Sequence, residues 1–465
     1  MLKDPSPQQH ALEMISLEDL VPHGHLVRKI EKHIDFEFIR AEVAHLYCPD
    51  NGRPPVDPVR LFKIMFLGYL FGIPSEAKLV KEIEVNMAYR WFLKMGLTEK
   101  VIHASTLSQN RIRRFNNTDV FERIFENIVN QAISAGLIDG TTLYTDSTHL
   151  KADANKNKSF NEERPVRPSA YLDEINAAVA ADREAHGKKP LKPAVEKTAV
   201  KNTKVSTTDP DSGYMPRDHK PKGFFYLDHR TVDGKHALIV DTHVTPGNVH
   251  DSQPYLERLD TTIERFQLET KAVGLDAGYY TAPVCGGLEE RGICGVFGYR
   301  RPVRTKNEFK KKHFTYDPQE DVYRCPNNEL LPYRTTSRDG YREYHADPHT
   351  CAQCPLQKKC TQARIPKKVI TRHVMADSME RANERRLTPQ GKRMYRRRCE
   401  TVERSFADAK QHHGHRYARF RGRWKVQMQA LLAATAQNMK KIAMLLASWL
   451  FLLLTGSRKT YRYAL

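Results

Sequence analysis

The sequence predicts an α/β protein, with an all-α N-terminal domain ahead of a mixed sheet. Three observations carry this. Apolar residues recur at helical spacing up to about residue 136, and the chain then turns to short β-branched runs bounded by turn formers. A basic, cysteine-bearing stretch from about 301 to 386 interrupts the sheet pattern, and apolar helices follow it.

The elements follow in order. Over 26–46, Leu26, Ile30, Ile34 and Ile39 fall close to one helical face. Asp57 can cap a helix that begins at Pro58, and the run LFKIMFLGYLFG behind it is apolar enough to be a core. Ser75 caps the next helix. Asn117 or Thr118 starts another, in which Phe121, Ile124, Phe125, Ile128, Val129 and Ala132 form a stripe ending before Gly136. TTLYTDSTHLKA then reads as a strand. Residues 155–222 read as a basic loop holding one helix near 171–184. GFFYLDHRTVD and KHALIVDTHVT flank Asp233 and Gly234 and predict a hairpin. KAVGLDAGYY and ICGVFGYR give two more strands separated by a helix, and helices over 394–411 and 424–454 close the sheet. The expected domains are 1–136, helical; 137–300, the first part of the sheet domain; 301–386, the insert; and 387–456, the closing helices. No internal repeat is visible.

Composition narrows the function. Hydrophobic residues make up 40% and charged residues 28%, which excludes a fibrous or disordered chain. Lys and Arg number 75 against 55 acids, a formal charge of +20, and such a surplus attracts polyanions. Nucleic acid is the expected partner, against a merely solvated or membrane-facing basic surface. MLKDPSPQQH contains no signal-peptide core, and the apolar run 442–456 is shorter than the roughly 20 residues a bilayer requires. It reads as a buried C-terminal helix, with no membrane role. Eight cysteines without a secretory signal suit reduced thiols or metal ligands, and so a cytoplasmic protein.

Phosphodiester transfer needs charge stabilised on the attacking and leaving oxygens, which a pair of divalent ions held by carboxylates provides. Asp146 within the first strand, Asp276 after Val273 and Glu403 on a helix are the candidates. Asp251, Asp209 and Asp211 stand among Pro and Gly and read as turn formers, while His149 and His250 read as structural.

YTDSTHLKA, VGLDAGYYT and RRRCETVERSFADAKQHHGHRYARFRG resemble the three acidic blocks of the DDE transposases of bacterial insertion sequences. GRPPVDPVRLFKIMFLGYLFG, SEAKLVKEIEVNMAYRWFL and HASTLSQNRIRRF are similar to the helical N-terminal domain of the same group, and TPGNVHDS to its hairpin exit. The resemblance implies an RNase H-like fold, dependence on Mg²⁺ or Mn²⁺, terminal inverted repeats and target DNA as substrates, and a homodimer on DNA ends. It also implies that Asp146, Asp276 and Glu403 are the catalytic acids.

Glu400 competes with Glu403. The family helix carries a lysine seven positions after its glutamate, which on a 3.6-residue helix lies near the same face. Glu403 has Lys410 there, whereas Glu400 has Ala407. The family arginine four positions before the glutamate is replaced by Cys399, with Arg398 one step earlier and Arg396 further back. Tyr395, Arg398 and Lys410 are the phosphate-contact candidates on this helix. A second DNA-binding candidate is the helix over 106–115, with Gln109, Asn110, Arg111, Arg113 and Arg114, although Leu107, Ile112 and Phe115 suit simple bundle packing. Arg416, Arg419, Arg421 and Arg423 alternate with Tyr417, Phe420 and Trp424 and suit phosphate contact with base stacking.

Cys325, Cys351, Cys354 and Cys360 can form a tetrahedral zinc site, making the insert a small zinc-ribbon-like unit. Cys48, Cys285, Cys294 and Cys399 read as small core residues. The leading functional expectation is a metal-dependent transposase that cleaves at terminal inverted repeats and transfers the 3′ hydroxyl to target DNA. The alternatives are a non-catalytic repressor derived from a transposase and a related DNA nuclease.

Overall fold

The computed structural model describes residues 14–48, 55–165, 171–192, 200–216, 222–299 and 309–455. The N-terminal part is helical: α1 (Leu17–Leu20), α2 (Leu26–His33), α3 (Phe38–Val43), α4 (Pro58–Leu70), α5 (Glu76–Val85), α6 (Met87–Phe92), α7 (Ala104–Gln109) and α8 (Val120–Ser134). Asp57 accepts from the Arg60 amide at 3.0 Å with Pro58 as the first helical residue, and Ser75 accepts from Lys78 at 3.2 Å, so both caps act as the sequence expects. Two expectations shift. The segment 26–46 is two helices rather than one, with Ile34, Phe36 and Ile39 all buried at and after the break. The helix expected from Asn117 or Thr118 starts after Asp119, because Asn117 adopts a left-handed conformation (φ 57°). Every residue of its predicted stripe is buried, and Gly136 (φ 68°) terminates it.

The main sheet begins with β1 (Thr142–Lys151). The stretch expected to be a basic loop contains more: β2 (Ser159–Pro165) pairs with β3 (Val200–Ser206), and between them lies α9 (Leu172–Ala185), the one helix anticipated there. Then come β4 (Gly213–Met215), β5 (Gly223–Asp233), β6 (Ile239–Pro246), α10 (Tyr255–Phe266), β7 (Ala272–Leu275), α11 (Ala282–Glu290) and β8 (Cys294–Phe297). The order is β6-β5-β1-β7-β8, with β4 sharing the outer edge of β5; β1, β5 and β6 run antiparallel, and β7 and β8 join in parallel. This is the RNase H-like mixed sheet that the resemblance implies. Arg300 and residues 301–308, the entrance to the insert, lie outside the described residues.

The insert is a five-stranded antiparallel sheet of β9 (Thr315–Asp317), β10 (Val322–Arg324), β11 (Leu330–Thr336), β12 (Tyr341–His345) and β13 (Val369–His373), with short helices α12 (Pro348–Ala352) and α13 (Gln357–Cys360). Phe314, Tyr323, Leu331, Tyr344 and Ile370 form its own small core. It is fastened to α9 by Asp182, which accepts from Thr336 Oγ1 and Arg342 Nε, both at 2.6 Å.

The chain returns as α14 (Ala376–Leu387), α15 (Pro389–Arg398), a π-helical turn (Cys399–Glu403), α16 (Arg404–His412) and α17 (Arg423–Thr455). Residues Val426 to Ala443 of α17 are largely buried, against β6 on one side and α2, α4 and α8 on the other. One helix thus joins the N-terminal bundle to the sheet, at roughly 1.5–3 kcal/mol per large apolar side chain removed from water. Of the run 442–456 expected to be buried only Ile442 and Ala443 are; residues 444–447 are partly exposed, Ser448 is exposed, and the side chains beyond it lie outside the described residues. Among the described residues no helix is long and apolar enough to cross a membrane.

Candidate active site

Strand alternation sorts the residues of β1. Asp146 and Thr148 face α15 and α16, where they meet Arg398 and Lys410, while Thr145 and Ser147 face the opposite side and meet Thr231 and Asp251. Because β7 pairs in parallel with β1, with Thr145 opposite Leu275, the residue just past β7 is delivered beside Asp146. That residue is Asp276.

The third acid arrives on the helix. Arg398 Nη2 donates to Asp146 Oδ2 at 2.6 Å, while Nη1 lies 3.7 Å from Asp276 Oδ1 and 3.4 Å from Glu403 Oε1. The Arg398 side chain is only 4% exposed, against 49% for Asp276 and 45% for Glu403, so the acids open to solvent around a buried guanidinium. Three carboxylates face one fixed positive charge. Burial pushes the Asp146 carboxyl up to about 6; Arg398 and the Ser147 amide oppose the rise, and the neighbouring Asp276 adds to it. A Cβ at Gly298 would lie 2.7 Å from the Tyr395 hydroxyl and 3.2 Å from Asp276 Oδ1, so only glycine leaves the acid its space.

The helix geometry explains the irregular spacing noted above. Five positions separate Arg398 from Glu403, which on a regular α-helix would rotate them apart. The turn Cys399–Glu403 is π-helical, and i→i+5 pairing returns residues five apart to one face. Arg398 therefore takes the place expected of an arginine four residues before the glutamate. Glu400 does not reach Arg398; it lines a separate cavity of about 890 Å³ with Arg397, Lys440 and Lys441.

A "Transposase domain (DUF772)" model matches residues 15–113 and a "Transposase DDE domain" model matches 324–443. Both matched stretches are transposase domains, the second of the DDE type. The second match contains Glu403, whereas Asp146 and Asp276 lie before it. No curated protein matches the sequence significantly. Among solved structures, a piggyBac transposase synaptic complex with hairpin DNA is similar over 94% of this chain and 80% of that one, at 8% identity and a TM-score of 0.31. A Mos1 mariner paired end complex with Mn matches over 56% and 64% at 11% identity, and a Mos1 complex with left transposon end over 54% and 61% at 12%, both with a TM-score of 0.16.

Around the three carboxylates, Tyr395 is half-buried with its hydroxyl 3.3 Å from Arg398 Nη1, and Lys410 Nζ donates to Thr148 Oγ1 at 2.5 Å. Arg416 and Tyr417 are exposed beyond Lys410. Arg419 is drawn inward, its guanidinium 4.4 Å from the Tyr69 ring centroid, and Arg421 pairs with Asp153 at 3.0 Å. On the N-terminal candidate helix Gln109 and Arg113 are exposed. Arg111 is only 7% exposed, pairs with Glu76 and stacks on Phe420 at 4.3 Å, so the structure turns it into the packing and away from solvent. Ile112, expected to pack, is 55% exposed, because a second π-helical turn at Asn110–Arg114 rotates the face.

The remaining acids and thiols are placed as follows. Asp209 accepts from Tyr226 Oη at 2.7 Å and the Gly422 amide at 3.1 Å, and Asp211 accepts from the Arg423 amide at 3.0 Å; both anchor the start of α17. His250 Nδ1 stands 2.8 Å from Ser252 Oγ. Cys325, Cys351, Cys354 and Cys360 line one cavity of about 220 Å³ in the insert. Burial pushes the Cys351 and Cys360 thiols up, and the neighbouring cysteines add to the rise. Cys285 is buried as expected, but Cys48 and Cys399 are exposed. As the side chains stand, no three His, Cys, Asp or Glu among the described residues are close enough to ligate one ion. The chemistry of both donor sets nevertheless fits a cation: three oxygen acids with an excess of negative charge at the sheet, and four sulfurs around one small cavity in the insert.

Sequence reading missed a second charged cluster beside the first. Arg230, opposite Asp146 in the β1–β5 register, is fully buried. It donates to Asp228 Oδ2 at 2.9 Å, Ser405 Oγ at 3.0 Å and Gln437 Oε1 at 2.8 Å; Asp228 also accepts from Thr242 Oγ1 at 2.6 Å and lies 2.9 Å from His415 Nε2. Burial alone would raise the Asp228 carboxyl, yet Arg230 and His415 hold it well below the usual range. The available signal was two charges at i and i+2, Asp228 and Arg230, directly after the apolar run Phe224 to Leu227.

Proposed function

We propose that this transposase cleaves DNA at the terminal inverted repeats of its element and joins the freed 3′ hydroxyl to target DNA, using Asp146, Asp276 and Glu403 as catalytic acids. The observation that supports this most is the meeting of three carboxylates from three separate elements around one guanidinium. Those acids would hold Mg²⁺ or Mn²⁺, which supplies charge stabilisation on the attacking and leaving oxygens of an in-line displacement. Arg398 holds the acids together beforehand and then has DNA phosphate as an alternative partner. Tyr395 and Lys410 flank the acids, and with exposed Arg416, Gln109 and Arg113 they are our candidates for DNA contact; Arg419 contributes through its Tyr69 packing. We assign the four insert cysteines to a structural Zn²⁺ and treat the active form as a homodimer on paired ends. The domain limits 1–136, 137–300, 301–386 and 387–456 remain our working division of the chain.

The test is a product assay. Purified Asp146→Asn protein should still bind DNA carrying the terminal repeats and yield no cleaved strand, while the wild type yields both cleaved ends and joined product. Cleavage by the variant would remove Asp146 from the site. Cleavage without joining in the wild type would favour a nuclease.

A further inference from the structure

Asp251 sits in the turn after β6, in the segment GNVHDS, where sequence reading expects only a turn former. Its carboxylate does more than shape that turn. Ser147 Oγ donates to Asp251 Oδ1 at 2.8 Å, and the Ser147 amide donates to Asp146 Oδ1 at 2.8 Å. Because Ser147 points to the opposite face of β1 from Asp146, Asp251 grips the catalytic strand from behind. Its other oxygen lies against the turn that carries the second acid: a Cβ at Gly278, two residues past Asp276, would stand 3.4 Å from Asp251 Oδ2. The next residue, Tyr279, is 1% exposed, and Asp251 and Asp146 are the charges it feels most.

We propose that Asp251 is a positioning residue which, through Ser147 and the Gly278 turn, sets the separation of Asp146 and Asp276 for binding a divalent cation. The assignment rests on the catalytic reading above. Two acids that repel each other must be held at a fixed spacing before a cation arrives, and β1 and the end of β7 pair only up to Thr145 and Leu275. Beyond that pair nothing in the ladder fixes Asp146 against Asp276, and Asp251 spans the gap from a third element. Residues of this kind behind a metal site change metal affinity by about 10–100-fold when removed.

The experiment measures Mn²⁺ binding to the full-length protein without DNA, by calorimetry and by the rise in unfolding temperature on adding MnCl₂. Asp146→Asn is the control for the catalytic reading, and if it leaves Mn²⁺ binding unchanged that reading fails first. Given loss in that control, Asp251→Ala should weaken Mn²⁺ by roughly tenfold or more. Ser147→Ala should reproduce this, and the double variant should be no worse than either single one, since all three remove one hydrogen bond. Asp251→Asn keeps an oxygen that accepts from Ser147 and should stay within about threefold of the wild type. Wild-type affinity in Asp251→Ala and Ser147→Ala would overturn the proposal. So would Asp251→Asn falling as far as alanine, which would make the charge, not the hydrogen bond, responsible. If Asp251→Ala does not fold, the Ser147→Ala result decides.

Discussion

Two arginine-centred clusters face each other across the β1–β5 pairing, and they differ in what surrounds the guanidinium. Around Arg230 the arrangement is closed: it is fully buried and matched by the single carboxylate of Asp228, Ser405 and Gln437 accept from its Nη1, and Thr242 and His415 meet Asp228. Around Arg398 it is open: three carboxylates share one positive charge, two of them about half-exposed. A balanced buried pair holds elements together, because removing either member strands a charge. An unbalanced one facing solvent is an arrangement that still needs cations. The same two residue types, one strand apart, are thus balanced in one place and left with excess negative charge in the other.

The largest effect should separate the two directly. Asp146→Asn should lower strand cleavage by at least about 10³-fold with little change in unfolding temperature, whereas Arg230→Met or Asp228→Asn should destabilise the protein by roughly 3–5 kcal/mol in urea unfolding. Equal loss of stability in all three would erase the distinction. Next comes acid. Because the folded-state Asp228 carboxyl lies below its unfolded value, its contribution is complete above about pH 4 and is lost as pH falls further. Wild-type protein should therefore lose stability below pH 4 more steeply than Asp228→Asn, and parallel curves would argue against the buried pair. A smaller and local effect is expected in the insert: Cys351→Ser with Cys354→Ser should abolish zinc release on denaturation while the main sheet stays folded, and a wild-type protein releasing no zinc would dispose of that site. The smallest effect should follow deletion of Cys399, which turns the π-helical turn into α-helix with the arginine four residues before the glutamate. Activity within about tenfold of wild type is expected from the kept face, and complete loss would show that the π turn itself is required.

Much of this was legible in the chain. The caps at Asp57 and Ser75, the stripe from Phe121 to Ala132 and the hairpin around Gly234 are local signals, and local signals survive folding. The three acids were legible by type and by resemblance, but their convergence depends on a parallel pairing and a helix docked from far along the chain. What stayed hidden is chiefly what tertiary packing decides. Nothing in the sequence pattern near 110 or 400 announces a π turn, yet those turns bury Arg111, expose Ile112 and bring Arg398 to Glu403. Asp251 resembled any acid in a Pro- and Gly-rich turn until the chain placed it behind Ser147.

The charge imbalance is the central claim, and Mn²⁺ uptake by the isolated protein tests it most directly. The wild type should bind Mn²⁺, Glu403→Gln should bind it far more weakly, and a Thr242→Val protein, altered only at the balanced cluster, should bind as the wild type does. Undiminished uptake in Glu403→Gln, or none in the wild type, would contradict the account.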